Sequence, residues 1–272
     1  MLFIYRFLTF FLFPFFALLI FLRKIIKKED KNRFKEKIFS SSFSANKNYN
    51  NKLYWFHAAS IGEAMSIIPL IQELDKKNIT INFLITTVTL SSSTLINKKF
   101  LENKNVTHRF FPLDSNHLVK NFLDQWKPDL ICFVDSEIWP NFLVEIKKRN
   151  IPLALLNGRI TEKTYKKWKI FNSFSKLIFG KFDICFASSL NSKNNLENLK
   201  AKNVKSFGNL KFCVNNDYKS LEQINKKILD DYKVWCAANT HKGEELICLK
   251  THMEIKKEFT NLLTIIIPRH IN

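Results

Sequence analysis

The chain has 272 residues, enough for one large or two medium domains. Its hydrophobic content of 46% and charged content of 25% exclude wholesale disorder, and a formal net charge of +19 points to anionic partners: nucleic acid, an anionic membrane surface or phosphorylated substrates. The five cysteines are widely spaced and contain no C-x-x-C, which argues against a disulfide framework or a structural zinc site and for a reducing compartment.

Residues 7–22 read FLTFFLFPFFALLIFL, a run without charge, and Arg23, Lys24, Lys27 and Lys28 follow at once. As one helix the run would rise about 24 Å, short of the roughly 30 Å hydrocarbon core. No small-residue cleavage site follows, so a cleaved signal peptide is disfavoured. Two membrane readings stay open, a spanning anchor in which Arg6 snorkels and a helix lying in the interface; the plainer reading is a merely buried hydrophobic helix, against which the run's being apolar all round argues. Pro14 is expected to kink either one. The basic cluster lies C-terminal to the run, so the rest of the chain is expected on the cytoplasmic side, with the cluster against anionic headgroups.

A polar linker is expected at about 40–51. Beyond it short apolar runs at 53–58, 80–87, 106–111, 130–135, 152–156, 183–187 and 204–207 read as strands. Amphipathic stretches lie between them, at 64–75, 115–126, 138–149 and 189–200 among others. This alternation predicts an α/β fold, a parallel sheet covered by helices on both faces. Ligands of such sheets bind at the carboxyl ends of the strands. There the sequence places Ala59-Ser60-Ile61-Gly62-Glu63, Thr86–Thr89, Asp135-Ser136-Glu137, Asn157-Gly158-Arg159 and Gly208-Asn209-Leu210-Lys211. Glu63 and Glu137 look unpaired on this rim. No G-x-G-x-x-G and no G-x-x-x-x-G-K-[ST] occurs, so neither a dinucleotide fingerprint nor a P-loop is supported.

A second unit is expected from about residue 215, with strands at 234–238 and 262–267 and a helix at 242–259. Pro268-Arg269-His270 follow the last strand. A lobe of this type usually takes about 100–150 residues, so the second unit reads as incomplete.

The segments HAASIGE (57–63), DSEIWPN (135–141), NGRITEKT (157–164), FGNLKF (207–212), AANTHKGEE (237–245) and PRH (268–270) occur in this order. Together they resemble the bacterial 3-deoxy-D-manno-octulosonic acid (Kdo) transferases, and the resemblance covers essentially the whole chain. It implies a GT-B glycosyltransferase fold. The expected organisation is a membrane anchor with its basic flank at 1–39, an N-terminal acceptor-side Rossmann-like lobe at 40–214, and the start of a C-terminal CMP-sugar lobe at 215–272. It implies inverting transfer of Kdo from CMP-Kdo to lipid IVA at the cytoplasmic face of the inner membrane, with membrane lipids as further partners, no cofactor, no metal and no nucleic acid. It gives Glu63 the role of catalytic base, Glu137 and Lys211 an assisting role at the transition state, and Pro268, Arg269 and His270 the start of the CMP site. The sequence departs from the family pattern at Thr89-Leu90-Ser91-Ser92, at Cys213, at Asn239 and at Lys242.

Each of these residues also has a plainer reading. Ser60-x-x-Glu63 ahead of an apolar run is a capping box. Glu137 suits the positive end of the helix that follows, and Lys211 is one of many lysines. In the functional reading Glu137 orients the acceptor or Lys211. Arg159 follows the same logic as Lys211 with weaker support. His241 with Glu244 has metal-ligand spacing but no further ligands. Three hypotheses follow: a membrane-attached Kdo transferase, an inactive remnant or half of a split enzyme that keeps the acceptor lobe, and a basic nucleic-acid-binding protein. The last rests on charge alone. On the resemblance, the 272-residue chain by itself is expected to bind CMP weakly and to show no transferase activity.

Overall fold

A computed structural model describes residues 1–42, 51–77, 80–213 and 229–269. The chain divides into two units, Met1–Asn215 and Asn216–Asn272.

In the first unit seven strands form one parallel sheet: β1 (Lys52–His57), β2 (Ile81–Thr87), β3 (Val106–Phe110), β4 (Leu130–Val134), β5 (Leu153–Gly158), β6 (Ile184–Ala187) and β7 (Val204–Ser206). Their order is β3-β2-β1-β4-β5-β6-β7, so the direction of winding reverses beside β1. Strands buried on both faces need apolar side chains at nearly every position, which is why they stand out as continuous runs. Successive side chains then divide between two layers. Trp55 packs with Phe122, Phe133 and Phe142 in one core, and Phe56 with Ile67, Ile71 and Phe83 in the other.

The helices between the strands are α3 (Ile61–Lys76), α4 (Leu90–Lys99), α5 (Asn116–Trp126), α6 (Pro140–Lys148), α7 (Glu162–Ile170), α8 (Asn172–Phe179) and α9 (Leu190–Asn198). Ser60, Thr89, Thr161 and Ser189 cap four of them, each side-chain oxygen accepting from the backbone N–H three residues on. Because these caps sit directly after strands, they also fix the loops along the carboxyl rim. The linker expected at 40–51 begins as a 3-10 turn at Ser40–Ser42, and residues 43–50 lie outside the described residues.

The N-terminal segment differs from the single helix expected. It forms α1 (Leu2–Phe11) and α2 (Phe13–Ile25), bent by 48° at the break between them. The break falls at Leu12, ahead of Pro14, rather than as a kink at Pro14. Proline lacks an N–H and crowds the preceding turn, so it fits the first turn of a new helix better than the interior of an old one. Among the described residues no single helix is long and apolar enough to cross a membrane; the bent pair passes that test only together. Arg6 also does not reach toward headgroups. Its guanidinium pairs with the buried Glu145 at 2.8 Å and donates to Asn141 at 3.3 Å. Tyr5 donates its hydroxyl to Asp114 at 2.7 Å.

The basic flank is ordered as well. Buried Lys37 pairs with buried Glu29 and donates to the Val88 carbonyl at 2.8 Å. Glu36 accepts the Phe110 amide at 2.8 Å and thereby covers the open edge of β3.

In the second unit, among the described residues, β8 (Lys233–Thr240) and β9 (Leu262–Pro268) pair in parallel, with α10 (Glu244–Ile255) between them in the chain. Parallel strands require such a crossover.

Candidate functional site

The carboxyl ends of β1 and β4 bring three acidic residues, and the loop after β7 brings one lysine, to one rim of the first unit. Glu63 stands in the first turn of α3. Its backbone N–H donates to Ser60 Oγ at 3.4 Å, Ser60 Oγ donates to Oε1 at 2.9 Å, and the Ala59 amide donates to Oε2 at 2.7 Å. The capping box is present, displaced by one residue, because the glutamate serves the amide of Ala59 rather than that of the cap residue. Burial raises the Glu63 carboxyl above its ordinary range, and the charges of Glu137 and Asp135 add to that. The Ser60 and Ala59 hydrogen bonds work in the other direction without cancelling it.

Glu137 is not free on the rim as its position suggested. Its Oε2 lies 3.1 Å from His57 Nε2 and accepts the Trp139 indole N–H at 2.7 Å. Burial alone would push this carboxyl up. The His57 contact, with the Trp139 bond behind it, overcomes burial and holds the carboxyl below its usual range. His57 is fully buried at the end of β1 and stacks on Phe111 with ring centroids 3.7 Å apart. Its Nδ1 faces Thr86 Oγ1 at 3.0 Å and the Thr86 carbonyl at 3.2 Å. Imidazole and carboxylate therefore form a braced pair across β1 and β4.

Two neighbouring carboxylates thus have protonation equilibria displaced in opposite directions. Such a split suits different roles, one group accepting a proton more readily and the other staying ionised.

Lys211 does not meet Glu137. Its Nζ lies 3.0 Å from Asp135 Oδ2. Asp135 directly follows β4 with φ of 60°, a left-handed conformation that non-glycine residues seldom adopt. Its other oxygen, Oδ1, is buried without a hydrogen-bond partner. The lysine is delivered by a loop held at both ends. Gly208 has φ of 96°, and Asn157 at the end of β5 accepts the Leu210 amide at 2.9 Å. Asn157 and Asn209, with Arg159 and Lys211, also line an open cleft of about 850 Å³ beside the rim. The structure thus brings Glu63, Glu137 and Lys211 to one rim, but it joins Lys211 to the group through Asp135.

Pro268 and Arg269 lie in the second unit, and His270 lies outside the described residues. Pro268 ends β9, and the Arg269 amide donates to the Thr240 carbonyl at 3.0 Å. Arg269 Nη1 approaches His241 Nε2 at 3.3 Å. The backbone amides of His241 and Gly243 donate to Glu244 and Glu245. His241 and Glu244 are therefore part of a helix start. Among the described residues no group of three His, Cys, Asp or Glu side chains is arranged to hold a metal.

His57 and Asp135 are the site residues that sequence reasoning did not single out. Each left one signal, a polar residue ending an otherwise apolar strand run.

A family model for 3-deoxy-D-manno-octulosonic-acid transferase (kdotransferase) matches residues 32–214. A curated relative from Rickettsia bellii (strain RML369-C), a 3-deoxy-D-manno-octulosonic acid transferase, is 34% identical over 269 residues. That match takes in 98% of this chain and 63% of the relative. A relative of the same description from Haemophilus influenzae is 27% identical and covers 79% of this chain and 51% of its own length. The chain therefore spans less than two thirds of these proteins. Among solved structures, the UDP-GlcNAc 2-epimerase of Neisseria meningitidis has a TM-score of 0.56 at 20% identity, over 81% of this chain and 66% of that one. A putative UDP-N-acetylglucosamine 2-epimerase from Listeria monocytogenes has a TM-score of 0.57 at 14% identity, over 82% of this chain and 63% of that one. At such identities the likeness carries the fold alone, and that fold is the GT-B type the sequence led us to expect. With its seven-stranded parallel sheet and a family match over most of its first unit, the chain belongs to the 3-deoxy-D-manno-octulosonic-acid transferase (kdotransferase) family.

Proposed function

We propose that the first unit is the acceptor side of an inverting Kdo transferase that moves Kdo from CMP-Kdo to lipid IVA in lipopolysaccharide synthesis. The bent pair α1 and α2 holds it on the inner membrane, facing the cytoplasm. The observation that carries this reading is the placement of Glu63 and of Glu137, braced by His57, on one strand rim of a chain that belongs to the Kdo transferase family.

In the proposed reaction a hydroxyl of the acceptor gives its proton to Glu63. Its oxygen attacks the anomeric carbon of Kdo from the face opposite CMP. The bond from that carbon to the phosphate oxygen breaks, and CMP leaves with the electron pair. Glu137 keeps its charge through the cycle and orients the acceptor. Lys211, balanced against Asp135, faces the developing negative charge at the rim. Pro268, Arg269 and His270 begin the CMP site. Arg269 supplies a guanidinium for a phosphate, while the nearby His241 and Gly243 amides are already taken by Glu244 and Glu245.

The test is transfer of labelled Kdo from CMP-Kdo to lipid IVA, run on the chain alone and with the remainder of a longer relative added. Glu63→Gln keeps an acceptor for the Ala59 amide but cannot take the proton, so kcat is expected to fall by about 10²–10⁴-fold. Wild-type turnover by that variant overturns Glu63 as the base. No transfer under either condition overturns the reading as a transferase.

A further inference from the structure

Between α1, α2 and the first unit lies an apolar pocket of about 400 Å³, walled by Tyr5, Leu8, Leu12, Phe16, Leu113 and Trp139. Besides Ser115, the polar side chains that line it are already engaged. Asp114 accepts from the Tyr5 hydroxyl and from the Asn141 and Phe142 amides, at 2.7 to 3.1 Å. Thr9 donates to the Arg6 carbonyl and accepts from Asn141. A polar ligand would find few free partners there, whereas a hydrocarbon chain loses nothing by entering.

The surroundings indicate where such a chain comes from. Leu8, Leu12 and Phe16 are partly exposed at the pocket, and Phe10 and Phe11 beside them are exposed on the same helix pair. Lys24, Lys27 and Lys28 follow in the chain, Arg23 being paired with Glu29 at 2.8 Å, and these lysines suit a lipid with an anionic headgroup. At the opposite wall Trp139 closes the pocket, and its indole N–H is bonded to Glu137. One side chain therefore separates the apolar pocket from the acidic rim.

We infer that this pocket takes one saturated acyl chain of the acceptor lipid, so that its headgroup is presented to the rim holding Glu137 and Glu63. The inference rests on the transferase reading above for the identity of the lipid, but not for the pocket itself. Trp139 then has two roles, because the residue that orients Glu137 is also the one an acyl chain touches.

The test is binding of alkyl maltosides of increasing chain length, kept below their micelle concentrations, to the full chain. Burial of each methylene is worth about 0.8 kcal/mol, or roughly 4-fold in affinity. Affinity is expected to rise by about that factor per carbon and then level off once the pocket is full. A brominated chain end is expected to quench fluorescence that disappears in Trp139→Phe. Leu8→Trp in α1 and Leu12→Trp at the break between the two helices, both at partly exposed positions, are expected to lower the affinity of long chains by about 10-fold or more while leaving the far-UV spectrum unchanged. Affinity that climbs without a plateau, or that ignores both variants, shows surface adsorption and overturns the pocket. Alkyl binding as expected, with no Kdo transfer either by the chain alone or with the remainder of a longer relative added, leaves the pocket standing and removes the transferase reading. Transfer with an unaltered KM for lipid IVA in Leu8→Trp does the opposite.

Discussion

Lys211 Nζ lies 3.0 Å from Asp135 Oδ2, and Asp135 in turn adds to the upward displacement of the Glu63 carboxyl. The lysine therefore acts on the proposed base through a charge it shares with Asp135. Lys211→Met is expected to leave Asp135 uncompensated, which favours neutral Glu63 and raises its carboxyl further. Since the base must be ionised, the acid limb of the kcat/KM profile should move to higher pH, and Lys211→Arg should largely restore it. A pH profile of the methionine variant that overlays the wild type would show that the pair does not reach Glu63.

His57 sets the charge of Glu137. Replacing it with Gln removes the contact that outweighs burial, so the Glu137 carboxyl should rise toward and above its ordinary range. The sign for stability follows from linkage. A depressed folded-state carboxyl contributes stability above its unfolded value and loses it as pH falls through the folded value. The wild type should therefore lose stability on acidification below about pH 4.5, near the usual glutamate range, and His57→Gln should flatten that dependence. The substitution also removes the stack on Phe111, at a cost of about 0.5–1.5 kcal/mol by urea unfolding at neutral pH.

Asp114 runs the other way. Burial raises its carboxyl to about 6, against hydrogen bonds from Tyr5, Asn141 and Phe142. A raised folded-state value means that its stabilising contribution is full below the unfolded value near 3.8 and is lost as pH rises through about 6. Thermal stability should decline between those limits with a slope of at most about 1.4 kcal/mol per pH unit from this group. Asp114→Asn should abolish that slope. An unchanged slope in the variant would assign it to other groups.

Much of the first unit is legible in the sequence because parallel, doubly buried strands must be apolar throughout. The runs at 130–135 and 152–156 fall within a residue or two of β4 and β5 for that reason. The Ser60–Glu63 cap is equally visible, since its spacing is its mechanism. The partners of the site carboxylates are not. His57 reads as one more strand residue, and nothing local says that its ring meets Glu137, 80 positions away. Asp135 depends on a left-handed φ, and its choice of Lys211 over any other lysine depends on the Gly208 turn and Asn157. The N-terminal run misleads for a related reason. Hydropathy registers the phenylalanines, but it cannot show that Tyr5 and Arg6 are tied to Asp114 and Glu145.

Those ties determine how membrane attachment has to be tested. Deleting residues 1–28 would strip Asp114 of Tyr5, Glu145 of Arg6 and the first core of Leu2 and Phe13, so lost binding would be confounded with lost folding. Phe3, Phe10 and Phe11 are 80%, 77% and 71% exposed and contribute little to the folded unit. Changing all three to Ser should lower the melting temperature by no more than about 3–6 °C, because each exposed substitution usually costs less than about 0.5 kcal/mol. Each phenylalanine buried in a bilayer interface is worth about 1.5–3 kcal/mol at full burial. Even partial insertion of the three should therefore amount to a factor of about 10² or more in partition. Co-sedimentation with vesicles containing anionic lipid should fall by that order in the triple variant. It should fall again at high salt, as the basic cluster at 23–28 is screened. Undiminished sedimentation of the triple Ser variant at low salt would mean that the basic cluster alone holds the protein to the surface and that the helix pair serves only to wall the pocket.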